Sequence, residues 1–290
     1  MNKLVEDLLT LIRLEKLEEN LYRGESRATG QRSVFGGLVA GQALMAASRT
    51  VPEDRLVHSL HAYFLRPGDF TRPILYDVDR IRDGRSFTTR RVNAIQHGRA
   101  IFSLAASFQG AEQGVEHQNP MPEVPDPESL PEEAQQRRAF ATRIPEPYRE
   151  AFVRERPVDV RPVKPANPYE FEAQSPRRMS WFRIPGPLDT DPLTDRALLA
   201  FCSDFGLMGT AMLPHGLSFF SPSVQSASLD HAMWFYQPFR MDDWLLYVTE
   251  SPVAAGARGF NHGRIYRRDG VLVATVAQEG LMRVREGGDG

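Results

Sequence analysis

The chain has 290 residues, 41% of them hydrophobic and 25% charged, a length that suits two units each able to bury a core. Its formal charge is -2, so no global basic field recruits nucleic acid or an anionic membrane surface, and no apolar run approaches the roughly 18 to 20 residues of a membrane span. Cys202 is the only cysteine, which excludes an intrachain disulfide framework and a multi-cysteine zinc site and fits a reducing compartment.

The N-terminus, M-N-K-L-V-E-D-L-L-T-L-I-R-L-E-K-L-E, carries acids throughout and has helical instead of signal-peptide periodicity. Leu4, Leu8, Leu11 and Ile12 share a face, which predicts an amphipathic helix over the first eighteen residues. The C-terminal G-G-D-G is not a peroxisomal S-K-L ending, and a cytoplasmic location is expected. Residues 21–30 read as a short extended segment. The stretch F-G-G-L-V-A-G-Q-A-L-M-A-A-S then predicts a helix that starts at Gly36 and Gly37 and ends before Pro52. Gly37 and Gly41, with Ala40 nearby, give this helix a surface small enough for close backbone approach to a sheet. It is too short and too polar at its end for membrane packing.

Four strand-like runs follow at 56–65, 74–82, 86–96 and 100–109, with Asp83-Gly84 and His97-Gly98 as turn signals between antiparallel strands. From 110 to 176 the periodicity dissolves, and 12 of the chain's 22 prolines fall there, so a long linker is expected to cross the surface and pack on it. E-E-A-Q-Q-R-R-A-F inside it is a helical piece. The plan then recurs: a strand at 179–184, a helix at 195–208 with Thr194 as cap, and strands at 226–236, 244–251, 258–267 and 271–281, the last two joined by Asp269-Gly270.

The recurrence is also written in the residues. V-Q-S-A-S-L-D-H-A-M-W-F-Y-Q-P, ending at Pro238, echoes V-H-S-L-H-A-Y-F-L-R-P, ending at Pro67. The offset is 169 from Ser59 to Ser228 and 171 from Pro67 to Pro238, a difference of two that keeps strand parity. H-G-R-A-I-F-S-L-A-A-S-F likewise aligns on D-G-V-L-V-A-T-V-A-Q-E-G. A helix wrapped by an antiparallel sheet, twice, predicts an α+β chain of double hotdog form: two helix-wrapped antiparallel sheets, edge to edge, joined by the Pro-rich linker. The expected units are 1–110, a linker 111–175 packed on the surface, and 176–290.

Two similar halves let function appear as asymmetry. Asp204 sits in an otherwise apolar helix face, Ser228 begins the strand of the echo, and Gln278 interrupts V-L-V-A-T-V-A where the first half has Ala106. Each is ordinary alone. Together, with L-L-T-L-I-R-L-E-K-L-E-E-N-L-Y-R-G, V-F-G-G-L-V-A-G-Q-A-L, L-V-H-S-L-H-A-Y-F-L-R-P-G-D, L-D-H-A-M-W-F and D-G-V-L-V-A-T-V-A-Q-E-G-L-M-R, they make the chain resemble the acyl-CoA thioesterase II family over nearly its whole length. That family's catalytic Asp, Thr or Ser, and Gln fall on Asp204, Ser228 and Gln278, with Ser where bacterial members often carry Thr.

The resemblance implies hydrolysis of an acyl-CoA thioester by a water that Asp204 deprotonates and Ser228 and Gln278 hold, with no cofactor and no acyl-enzyme. The oxyanion donor is left open between the Gln278 amide and a backbone N–H near a glycine. Phe and Leu richness around the helices allows medium- to long-chain acyl groups, which are the expected substrates. The resemblance also implies a homo-oligomer, with a tetramer as one form.

Other residues invite other readings. His58 lies at the first-half counterpart of the Ser228 region and is a site-flanking candidate, though a buried structural histidine is the commoner reading; His58 and His61 are placed on opposite faces of a strand, which denies them a shared metal. His231 beside Asp230 alternates faces and makes no relay. Cys202, two positions before Asp204, reads as buried and apolar, and of the basic pairs at 177–178 and 267–268 one is a candidate for CoA phosphates. A Ser nucleophile lacks a G-x-S-x-G elbow. Two alternatives remain: a non-catalytic acyl-CoA or acyl-carrier binding module, and an enoyl-thioester hydratase, which would ask for an Asp and His pair around one helix.

Overall fold

The computed structural model describes residues 2–27, 33–144, 146–164, 172–221 and 223–285. Helix α1 (Lys3–Ile12) starts at Asn2, whose side chain accepts the Leu4 N–H, and buries Val5, Leu8 and Ile12. It ends short of the eighteen residues predicted. The amide of Gln42 donates to the Leu11 carbonyl at 2.6 Å and Arg49 to the Leu14 carbonyl at 2.6 Å, so groups from another helix take the carbonyls that would carry α1 onward. The chain then forms a hairpin of β1 (Glu15–Glu18) and β2 (Leu21–Gly24); the remainder of the predicted extended segment, 28–30, lies outside the described residues.

The first half continues as α2 (Gly36–Ser48), β3 (Arg55–Phe64), β4 (Ile74–Asp83), β5 (Phe87–Gln96) and β6 (Arg99–Gly110). His97 and Gly98 both take positive φ, 50° and 69°, as a tight hairpin of mirror-image type requires. The region from 110 to 176 contains α3 (Glu133–Phe140), which is the predicted helical piece, together with α4 (Glu146–Val153) and β7 (Asp159–Pro162); 165–171 lie outside the described residues. The second half is β8 (Arg177–Arg183), α5 (Pro192–Ser203), a 3₁₀ stretch Met208–His215, β9 (Val224–Ser228), β10 (Asp230–Phe235), β11 (Leu245–Ala255), β12 (Arg258–Arg267) and β13 (Leu272–Val284).

All strands among the described residues pair antiparallel in one sheet, in the order β1-β2-β4-β5-β6-β3-β10-β13-β12-β11-β8-β7, with β9 on β13. The two four-strand runs meet where β3 pairs β10, Leu60 opposite Met233 and His61 opposite Ala232. The central strands are thus paired on both sides, which leaves them no free edge. At the far end β7 pairs β8, Trp181 donates to the Pro125 carbonyl at 2.9 Å, and Arg161 and Arg183 lie over the Trp244 ring at 5.2 and 4.4 Å.

The predicted strand 226–236 is broken. Ser228 stands opposite Gly280 but Ala232 opposite Ala277, a shift of one residue, and the Asp230 carboxylate accepts the Glu279 N–H at 2.6 Å in the gap. β3 carries its own irregularity between Val57 and Ser59. Each copy of the echo therefore slips once, which parity counting along the sequence misses.

Helices α2 and α5 lie side by side under the sheet, nearly all their residues buried. A Cβ on Gly37 would lie 2.3 Å from the Phe201 carbonyl oxygen, and one on Gly41 2.8 Å from that of Ala197. The small surface predicted to meet a sheet meets α5 instead. Among the described residues one helical stretch, Pro192–His215, is long and apolar enough to cross a membrane by composition. It is α5 plus the 3₁₀ stretch, and 78% of its most apolar window is buried, as in a core helix.

The Gly37 contact is to backbone and has little room to yield. Gly37→Ala is expected to destabilise the protein by about 1–3 kcal/mol in urea unfolding, against the roughly 1 kcal/mol gain that alanine gives an unobstructed helix.

Candidate active site

Asp204 is the residue that ends α5 (φ -80°, ψ -9°), not one inside the helix as the apolar spacing suggested. Ending the helix frees its carboxylate from the α5 face and turns it to a neighbour. Its Oδ2 faces the start of α2, since a Cβ on Gly36 would lie 2.9 Å from that oxygen and 2.7 Å from the Phe64 ring. The residue before α2, Phe35, offers no side-chain cap, so the positive end of the helix is left to its surroundings. Phe35 stacks on Phe205 at 4.8 Å and meets Phe201 edge-on at 5.4 Å, an apolar wall beside the carboxylate.

Gln278, wholly buried on β13, binds the other carboxylate oxygen: its Nε2 donates to Asp204 Oδ1 at 2.8 Å. Reversing that amide would set a carbonyl against a carboxylate, so its orientation is fixed. The second Nε2 hydrogen reaches His231 Nδ1 at 3.2 Å. The other ring nitrogen, Nε2, lies 2.8 Å from Ser203 Oγ, and that hydroxyl donates its one proton to the Ala200 carbonyl at 2.9 Å. Ser203 must therefore accept from His231, which places the ring proton on Nε2 and leaves Nδ1 as the acceptor Gln278 needs. Burial lowers the His231 pKa, against an opposite pull from Asp204 and Asp230, so the ring is neutral near pH 7. Tyr247 donates to the Ser203 carbonyl at 2.8 Å and pins the end of α5.

With both amide hydrogens committed, Gln278 has only its carbonyl left. Oε1 is buried with no hydrogen-bond partner among the described residues, a condition that costs about 1–3 kcal/mol unless a donor arrives. Ser228 lies across from Gly280, and directly opposed residues share a face, so its hydroxyl stands on the same side as Gln278, one step diagonally along β13. It is half-buried and makes no side-chain hydrogen bond among the described residues. Met208 packs over Gly280 beside it, its sulfur 2.3 Å from where a Cβ would be.

Of the residues singled out in the sequence, the structure puts Asp204 and Gln278 in direct contact, sets Ser228 on their face, and separates His58. His58 is the bulged residue of β3; its Nε2 lies 2.8 Å from Ser107 Oγ and its ring meets Phe87 edge-on at 5.5 Å, on the outer face. The bulge also puts His61 on that face, against Trp234 at 5.2 Å, so the two histidines do not alternate as an unbroken strand would have them. No group of three or more His, Cys, Asp or Glu fit for a metal occurs among the described residues. Cys202 is buried, and burial pushes its thiol pKa up, away from nucleophilic chemistry.

The basic pairs have internal partners: Arg177 with Glu250, Arg267 with Asp269, and Arg268 with Asp126 and Glu128. Arg178 packs beside Gly209, where burial lowers its pKa.

Sequence reasoning passed over His231 and Ser203. The signal for His231 was present: it shares strand parity with Met233 and Phe235, both buried. Testing it only against its neighbour Asp230 hid the partner that comes from β13.

The N-terminal part of the chain, residues 25–109, matches the family model described as acyl-CoA thioesterase N-terminal domain, and residues 147–281 match the one described as acyl-CoA thioesterase. The chain is 43% identical over 286 residues to acyl-CoA thioesterase 2 of Haemophilus influenzae, covering 99% of this chain and 100% of that protein. It is 42% identical over 285 residues to human acyl-coenzyme A thioesterase 8, covering 95% of this chain and 88% of the human one. Among solved structures, an acyl-CoA thioesterase II from Mycobacterium marinum superposes with a TM-score of 0.78 at 43% identity, over 98% of this chain and 100% of that one. A hot dog fold protein from Alicyclobacillus acidocaldarius, at 22% identity and a TM-score of 0.76 over 97% and 99% of the two chains, shows the fold alone.

A neutral, buried histidine gives the site a signature in pH. The native state binds fewer protons than the unfolded chain once pH falls below the ordinary histidine value of about 6.5, so stability drops on acidification, by at most about 1.4 kcal/mol per pH unit for one group. His231→Gln is expected to flatten that part of the decline, read as the shift in urea midpoint between pH 7.5 and 5.5. His58, also lowered by burial, contributes in the same direction.

Proposed function

The chain belongs to the acyl-CoA thioesterase family and is a thioester hydrolase, and we propose that it cleaves medium- to long-chain acyl-CoA with Asp204, Ser228 and Gln278 as its catalytic set. The observation that carries this reading is the hydrogen bond between Gln278 and Asp204 at the uncapped start of α2. Both Gln278 hydrogens are spent, so Gln278 holds the attacking water through Oε1 and not through its NH2. The water then donates one hydrogen to Asp204 Oδ2 and one to Gln278 Oε1. Its first lone pair accepts the Ser228 hydroxyl, and the second is aimed at the thioester carbon.

As the C–O bond forms, Asp204 takes the proton, and the carbonyl oxygen becomes an oxyanion. The N–H groups of Gly36, which lies beside Asp204, and of Gly37, the next residue in the first turn of α2, have no acceptor within their own helix; of the two donors left open by the sequence, they suit the oxyanion better than a Gln278 amide already engaged. Collapse of the tetrahedral species breaks the C–S bond, the CoA sulfur leaves with the proton that Asp204 held, and the free acid remains. No acyl-enzyme forms.

The aromatic wall of Phe35, Phe64, Phe201 and Phe205 supports an alkyl chain as the group accommodated beside Asp204. A hydratase reading would require a histidine free to move a proton, and both ring nitrogens of His231 are engaged. All three catalytic side chains come from the second half, which supports the division into a double hotdog with units 1–110, 111–175 and 176–290. Tyr63, Leu65, Phe87 and Tyr236 stand exposed on or beside the outer face near the β3–β10 seam, which supports a homo-oligomer. The single buried thiol suits a cytoplasmic setting.

Asp204→Asn keeps the shape of the side chain and removes the base. CoA release followed with a thiol reagent is expected to fall by about 10²–10⁴-fold with the melting temperature unchanged. An active, folded variant would overturn the catalytic set, and a flat wild-type trace with tight acyl-CoA binding would favour the binding module. Across saturated acyl-CoAs of increasing length, kcat/KM is expected to peak beyond the short chains.

A further inference from the structure

Directly across the β12–β13 pair from Gln278 stands Asn261. Both residues are wholly buried, and as opposed partners they lie on the same face with Cβ atoms about 5 Å apart. Each carries a side-chain carbonyl oxygen without a hydrogen-bond partner among the described residues. Gln278 has no hydrogen left to give. Asn261 does: its amide nitrogen makes one long contact, 3.4 Å to the Gly259 carbonyl, and holds a second N–H in reserve.

The surroundings of Asn261 narrow its choice of partner. Along its own strand the inner face is filled on both sides, Ala211 packing on Gly259 and Tyr247 on Gly263, at 2.4 and 2.3 Å from where Cβ atoms would be. On β11 the register slips between Glu250 and Val253, opposite Asn261, and the Ser251 hydroxyl there is already given to the Phe260 carbonyl. Among the described residues, the acceptor without a partner across the β12–β13 pair from Asn261 is Gln278 Oε1. Turning the Asn261 amide about its Cβ–Cγ bond trades the long Gly259 contact for an N–H where the orphan oxygen stands.

We propose that Asn261 is a positioning residue of the active site, its side-chain amide donating to Gln278 Oε1. The glutamine is then held from three sides, by Asp204, His231 and Asn261, and the second lone pair of Oε1 stays available for the reacting water. This rests on the role given above to Gln278. Asn261 acts through Gln278 and does not touch substrate, so its loss falls on kcat and not on KM.

The test compares Asn261→Leu, branched alike but larger and without a donor, and Asn261→Ala, smaller and without a donor, with the wild type and with Gln278→Met, each checked for folding by its circular-dichroism melt. A fall in kcat of about tenfold or more with KM within about twofold is expected for both Asn261 variants. In the Gln278→Met background, assayed at enzyme concentrations that read the residual rate, Asn261→Leu is expected to cost less than about twofold more, because its partner is gone. Wild-type kcat in a folded Asn261 variant, or an equal loss in both backgrounds, would overturn the proposal and leave Asn261 a packing residue. If Asn261→Leu does not fold, Asn261→Ala decides. Wild-type kcat in Gln278→Met would instead bring down the catalytic set itself, so the two failures are told apart.

Discussion

Two glycines without side chains hold α2 against α5 at backbone distance, and the position of the site follows from that contact. Gly37 and Gly41 meet the carbonyl oxygens of Phe201 and Ala197, the same turns of α5 that lead into Ser203 and Asp204. Because the helices lie so close, the end of one falls beside the start of the other. The Asp204 carboxylate arrives at Gly36, and a side chain at Gly36 would occupy the space that the carboxylate and Phe64 use. A negative charge at an uncapped helix start is electrostatically favourable, and an oxyanion formed there would be favoured for the same reason.

The sheet answers this arrangement with a row of polar side chains across three adjacent strands: His231 on β10, Gln278 on β13 and Asn261 on β12. Buried polar groups of this kind are tolerable only when each donor finds its acceptor. From Asp204 through Gln278, His231 and Ser203 to the Ala200 carbonyl, each bond fixes the polarity of the next, so neither the glutamine orientation nor the histidine tautomer is free. A protonated His231 could not accept from Gln278, and burial keeps the ring neutral. The chain of bonds thus carries a rigid orientation to the carboxylate.

The repeat contributes the frame and little of the chemistry. Where the second half has Gln278 the first has Ala106, which packs as a small core residue opposite Leu60. Each half slips once in its central strand, near His58 in one and at Leu229 in the other, and the consequences differ. The slip in β3 leaves His58 on the outer face with Ser107. That between β9 and β10 keeps Ser228 facing inward opposite Gly280 while His231, beyond it, also faces the core.

Period-two and helical patterning, turn dipeptides and the internal echo determined the two helix-and-strand runs by themselves, because those signals are local: most predicted strands end within a residue or two of the observed ones, while β1, α4 and β7 carry no such signal. The identity of Asp204, Ser228 and Gln278 as candidates was also open to sequence, through the failure of the echo and the family motifs. What tertiary structure alone decided is where an element stops and what a buried polar group touches. α1 ends at Ile12 where the side chains of Gln42 and Arg49 take the carbonyls of Leu11 and Leu14, and no periodicity within α1 encodes that. His231 meets Gln278 because β10 lies beside β13, a pairing of distant stretches of sequence, and Gln278 faces Asn261 because the register of the β12–β13 hairpin sets them opposite.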